Sequence, residues 1–80
     1  MTVNQETIDK ILDFIKQYTE TEGIAPSLKE IAVGCYISYG TVVRYLDILQ
    51  AQGVIKRDAN KARSVRIIQQ QSEKGSNYRS

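Results

Sequence analysis

Histidine is absent from these 80 residues, and cysteine occurs once, at Cys35. A single thiol excludes an internal disulfide framework, and without imidazole a zinc site has almost no ligands. The lack of histidine also removes the commonest general base. No Ser/His/Asp or Cys/His set can be assembled, so no enzymatic activity and no cofactor are expected. No apolar run approaches the roughly 20 residues that cross a bilayer. The opening Met1-Thr2-Val3-Asn4-Gln5-Glu6 lacks the basic-then-apolar order of a signal peptide, and a cytoplasmic chain is expected. What remains is 41% hydrophobic and 25% charged, the balance of a soluble globular chain long enough for one small domain.

The net charge of +2 hides an uneven distribution. Residues 1–30 hold Lys10, Lys16 and Lys29 against six acids, a balance of −3. Residues 31–80 hold eight cations against Asp47, Asp58 and Glu73, a balance of +5. Such asymmetry points to a polyanion partner for the second half, although charges on a small surface also sort unevenly by chance.

Thr2-Val3-Asn4-Gln5 reads as a capping box opening a helix over about 3–22. Along it Ile8, Ile11, Leu12, Ile15 and Tyr18 form an apolar stripe of helical period. Gly23 supplies a left-handed stop, with Ile24 folding back onto the last turn. After Pro26, Ser27-Leu28-Lys29-Glu30 is a second capping box, and a short helix over roughly 28–34 turns Leu28, Ile31 and Ala32 inward. A turn through Cys35 and Tyr36 follows, where the thiol reads as buried and structural. Ser38 then caps a third helix of about 39–52 with Val42, Leu46 and Leu49 inward. Gly53 ends it. Beyond, Val54-Ile55-Lys56-Arg57 and Arg63-Ser64-Val65-Arg66-Ile67-Ile68 are β-compatible around a turn-like Asp58-Ala59-Asn60-Lys61. Residues 69–80 are polar and read as a flexible tail or the start of a linker.

The expected fold is therefore mainly α with a small β-hairpin, a three-helix winged helix-turn-helix over 1–68. In that arrangement the third helix enters the major groove of DNA. With Val42, Leu46 and Leu49 inward, Gly40, Arg44, Asp47 and Ala51 point out, with Thr41 beside them. Arg44 can make a bidentate pair with guanine, worth about 1–3 kcal/mol of discrimination. Arg44 is the best single candidate for a base contact, the alternative being a surface arginine paired with Asp47, three positions on. Ser38, Tyr39, Gly40 and Thr41 offer backbone N–H groups and hydroxyls suited to a phosphate. Ser38 caps the helix in any case, and Tyr39 could instead cover the core edge. Gly40 costs the helix roughly 1 kcal/mol against alanine, a cost explained by close approach to DNA or by weak selection in a first turn. Lys56, Arg57, Lys61, Arg63 and Arg66 form a basic rim that reaches phosphates or the minor groove, or protects an edge strand from aggregation. Val33, Val43 and Ile48 lie near outward faces, covering core edges or forming a self-association patch.

Thr2-Val3-Asn4-Gln5, the run from Gly23 to Ala32, Gly53-Val54-Ile55 and the run from Arg63 to Ile68 together resemble the N-terminal DNA-binding domain of the LexA repressor family, over about residues 2–68. The resemblance implies a winged domain that binds double-stranded DNA as a homodimer on a palindromic operator, with transcriptional repression as the consequence. By position it puts the reading segment on Ser38, Gly40, Thr41, Val43 and Arg44. Family members commonly carry polar or acidic residues where Val43 and Arg44 stand, so the operator need not be the family's usual one. Tyr36 replaces the glycine usual in the turn. LexA repressors also carry a self-cleaving domain with a serine–lysine dyad, for which 80 residues leave no room. Self-cleavage is not expected here, whether the chain is an isolated domain or a compact regulator. The alternative reading is a winged-helix protein-interaction module, which explains outward Val43 and Ile48 but not the basic second half.

Overall fold

A computed structural model describes residues 4–58 and 60–68. Its order is α1 (Gln5–Glu22), α2 (Leu28–Cys35), α3 (Tyr39–Ala51), β1 (Ile55–Lys56) and β2 (Arg66–Ile67). The two strands pair antiparallel, Ile55 opposite Ile67 and Lys56 opposite Arg66. This is a winged helix-turn-helix. The tail read at 69–80 lies outside the described residues.

α1 starts at Gln5 rather than at residue 3, and Asn4 is its cap. The Asn4 side-chain oxygen accepts from the backbone N–H groups of Glu6 (2.9 Å) and Thr7 (3.3 Å), the donors a first turn leaves unpaired. Thr2, expected in that role, lies outside the described residues. Ile8, Ile11 and Ile15 turn into the core, while Tyr18 is only half-buried. Gly23 closes the helix at φ 77° as expected. Ile24 does not fold back fully and stays 50% exposed.

α2 opens on the expected capping box: Ser27 Oγ accepts from Glu30 N–H (3.1 Å) and Glu30 Oε1 from Ser27 N–H (2.9 Å). Gly34 lets α2 approach α1 closely, since a Cβ there would overlap the Phe14 ring. The helix ends on Tyr36, a non-glycine residue at φ 59°, ψ 43°. The following Ile37 N–H reaches back to the Ala32 carbonyl (3.0 Å), a left-handed helix stop built without glycine. Ser38 caps α3 through Thr41 N–H (3.1 Å), so the turn is bounded by two well-made helix ends.

The core gathers Ile11, Ile15, Ile31, Cys35, Val42, Leu46, Leu49 and Ile55, none more than 1% exposed. Each large aliphatic side chain contributes roughly 1.5–3 kcal/mol by leaving water. Tyr45 closes the edge of the core, its hydroxyl accepting from Asn4 N–H (3.0 Å) and so tying the start of α1 to α3. The ladder is shorter than the alternating pattern predicts, two residues per strand, extended by Ile68 N–H to the Val54 carbonyl (2.9 Å). Side chains replace the missing rungs. Ser64 Oγ accepts from Asp58 N–H (2.8 Å) and donates to the Asp58 carbonyl (2.9 Å), pinning the two sides of the loop together.

Candidate nucleic-acid interface

The outward face of α3 is as the helical wheel requires: Gly40, Arg44, Asp47 and Ala51 are exposed and Thr41 is half-buried beside them. Thr41 does not present a free hydroxyl, because its Oγ1 lies 2.8 Å from Ser38 Oγ. Ser38 is thereby occupied twice, as cap and as hydroxyl partner. Tyr39 does not cover the core edge and is 56% exposed. Around Gly40 an added Cβ would meet nothing within 4 Å, so no packing among the described residues demands glycine there.

Arg44 does not pair with Asp47. Arg57, arriving after the turn at Gly53, donates its Nη2 to Asp47 Oδ1 at 2.6 Å. The Arg57 side chain is 16% exposed, folded against the domain. Among the described residues Arg44 has no acid and no hydrogen-bond partner, and its guanidinium stands in solvent. Val43 and Ile48 are half-buried, each with part of its apolar surface left on the outer side of α3.

The hairpin cations separate into two groups. Arg57 and Arg63 are each paired with an acid, Arg57 folded against Asp47 with 16% of its side chain exposed and Arg63 bound to Glu30 with 41% exposed. Lys56, Lys61 and Arg66 are exposed. Lys56 and Arg66 also sit directly opposite one another across the strand pair, an arrangement of like charges that destabilises a hairpin unless an anion lies against it. Lys61 and Tyr39 come together at one open groove of about 500 Å³, with Lys29 and Asp58 on its other walls. The groove thus joins the start of α2, the start of α3 and the hairpin loop. Sequence reasoning passes over Lys29, although a cation in the first turn of a capped helix is a visible signal.

Glu30, also missed as a site residue, is the most perturbed acid of the domain. The Arg63 guanidinium, and after it the Ser27 N–H, hold its carboxyl down at about 2. Cys35 is fully buried with its thiol directed at the Lys10 carbonyl (3.7 Å), and burial pushes the thiol up from its ordinary value. It is structural. Among the described residues no three His, Cys, Asp or Glu side chains gather as metal ligands, and no helix is long and apolar enough to cross a membrane.

A small capped domain with an unpaired arginine on its third helix and exposed cations on its hairpin has close relatives in sequence. Residues 1–64 match the family described as LexA DNA binding domain. The LexA repressor of Acetivibrio thermocellus is 43% identical over 65 residues, 79% of this chain and 30% of the relative. That of Geobacillus thermodenitrificans is 41% identical over 70 residues, 85% of this chain and 33% of the relative. That of Koribacter versatilis is 37% identical over 60 residues, 74% of this chain and 29% of the relative. The chain spans about a third of the length of these relatives. It belongs to the LexA DNA-binding family, as a winged helix-turn-helix DNA-binding domain.

Proposed function

We propose that this domain reads double-stranded DNA by laying α3 in the major groove, as a LexA-like transcriptional repressor acting in the cytoplasm. The observation that carries the reading is the state of Arg44: outward on α3, exposed, and left unpaired because Asp47 is held by Arg57. An arginine so placed can meet guanine O6 and N7 with both arms of its guanidinium. The N-terminus of α3, with Ser38, Tyr39, Gly40 and Thr41, faces the phosphates, and Val43 supports an apolar base contact beside Arg44. Lys56, Lys61 and Arg66 contribute sequence-independent attraction to the backbone. One such module buries little surface, so two copies on a palindromic site supply the affinity.

The test is titration of labelled random-sequence duplex DNA at about 50 and 200 mM salt, followed by selection of the best-bound sequences. Binding that falls steeply with salt, and selection that converges on a palindrome, is the expected result. Salt-sensitive binding without convergence would leave only backbone attraction. No binding at the lower salt would overturn the reading.

A further inference from the structure

Arg63 carries more hydrogen bonds to other elements than any cation with a free role in DNA binding would need. Its Nη1 donates to Glu30 Oε1 and its Nη2 to Glu30 Oε2, both at 2.8 Å, a two-armed pair. Nη1 also lies 3.1 Å from the Ala25 carbonyl and 3.4 Å from the Tyr18 hydroxyl. Glu30 Oε1 at the same time accepts from Ser27 N–H (2.9 Å) as half of the α2 capping box. One carboxylate thus joins the start of α2 to the hairpin loop, with the end of α1 held by the same arginine.

Arg57 at the start of the loop is tied to Asp47 of α3, while the bonds among residues 58–64 run within the loop: Asp58 to Ser64, Asn60 N–H to Asp58 Oδ1, Lys61 N–H to the Asp58 carbonyl. They shape the loop but do not aim it. Buried Val65 anchors its end in the core, and the Arg63–Glu30 pair fixes its near side against the helices. Lys61 stands two positions before Arg63, on the same groove as Tyr39 of α3.

We propose that Glu30 and Arg63 are positioning residues for DNA binding, holding the hairpin loop at the distance from α3 at which Lys61 and the reading helix engage one duplex together. The inference rests on the DNA-binding reading above. It assigns Arg63 to the protein rather than to a phosphate, and gives an acid a favourable part in binding a polyanion. A loop free to move must be ordered when DNA binds, and that ordering weakens the complex. Simple charge arithmetic predicts the opposite for Glu30, since removing an acid should tighten binding to DNA. The two accounts therefore differ in sign.

The experiment titrates the best-selected duplex into the wild type, Glu30→Gln, Arg63→Ala and Lys61→Ala across a salt series, below the melting temperature of each. Glutamine keeps the capping box, so Glu30→Gln loosens the loop without unmaking α2, and it decides the matter if Arg63→Ala fails to fold. Glu30→Gln and Arg63→Ala should each bind about five- to twentyfold more weakly with the wild-type salt slope, whereas Lys61→Ala should lower the slope by about 0.9. Glu30→Gln binding as tightly as the wild type or tighter overturns the proposal, as does a slope lost in Arg63→Ala. A wild type that binds no duplex instead removes the DNA-binding reading itself, and with it anything to position.

Discussion

Asp47, the only acid on α3, accepts from Arg57 at 2.6 Å across the turn at Gly53, and not from Arg44 on its own helix. The pair settles two charges at once. Arg57 is taken out of the exposed set, and Arg44 is left unneutralised on the outward face.

Breaking that pair should improve DNA binding while costing little stability. In Asp47→Asn the Arg57 side chain is released and an acid disappears from the reading helix. Affinity for duplex DNA should rise several-fold and the salt slope by up to about 0.9. Asp47 is largely exposed, so the loss of stability should stay within about 1 kcal/mol. Isothermal titration and thermal unfolding of the variant check both halves. Weaker binding would contradict this, and would mean that Asp47 contacts the bases or that its pair with Arg57 holds the hairpin in place.

Gly40→Ala should separate stability from function. Nothing in the domain crowds an added Cβ, so the helix should gain up to about 1 kcal/mol. If the backbone approaches DNA closely there, the same methyl should weaken binding about tenfold or more. A variant that is both more stable and equally active would show that Gly40 serves no close approach.

Tyr36 holds a left-handed backbone at φ 59° with 91% of its surface exposed, so its side chain repays almost none of the strain. Tyr36→Gly should stabilise the domain by about 0.5–1 kcal/mol, the relief of strain being partly offset by glycine's greater freedom when unfolded. Chemical denaturation measures this directly. A destabilised variant would show that the phenol makes a contact that matters.

Acid should weaken the loop clamp in a defined window. Glu30 titrates at about 2 in the fold against 4.5 for the free side chain, chiefly because Arg63 donates to it. Protons then bind the unfolded chain more readily, so the pair's contribution is complete above about pH 4.5 and is lost as the pH falls towards 2. Melting temperatures of the wild type and Glu30→Gln should therefore differ most near neutrality and converge in acid. A gap that does not change with pH would contradict the coupling.

Local signals were the legible part of this chain. Ser27 with Glu30, Ser38 before Tyr39, and the glycines at 23 and 53 mark helix ends because each cap is made within a few residues. The outward face of α3 follows from the spacing of Val42, Leu46 and Leu49. The start of α1 is ambiguous in the sequence because Thr2 and Asn4 both precede the first turn and either residue type is able to cap it. Ion pairing was illegible for a different reason. Glu30 and Arg63 are 33 positions apart and Asp47 and Arg57 ten apart, and several acids and bases were equivalent partners until the helices packed. Sequence proximity favoured Arg44 for Asp47, yet the chain reversal at Gly53 brings Arg57 closer. The same packing divides the hairpin's five cations into two paired with acids and three that stand in solvent, a division that alternation along two-residue strands cannot reveal.

The most direct test of reading by α3 compares the sequences selected by the wild type and by Arg44→Ala from one pool of random duplexes. The account predicts that the variant loses its preference at one base position in each half-site, about 1–3 kcal/mol of discrimination, while the rest of the site and the salt slope change little. An unchanged preference, or an equal loss on every sequence, would contradict it and leave Arg44 a surface charge.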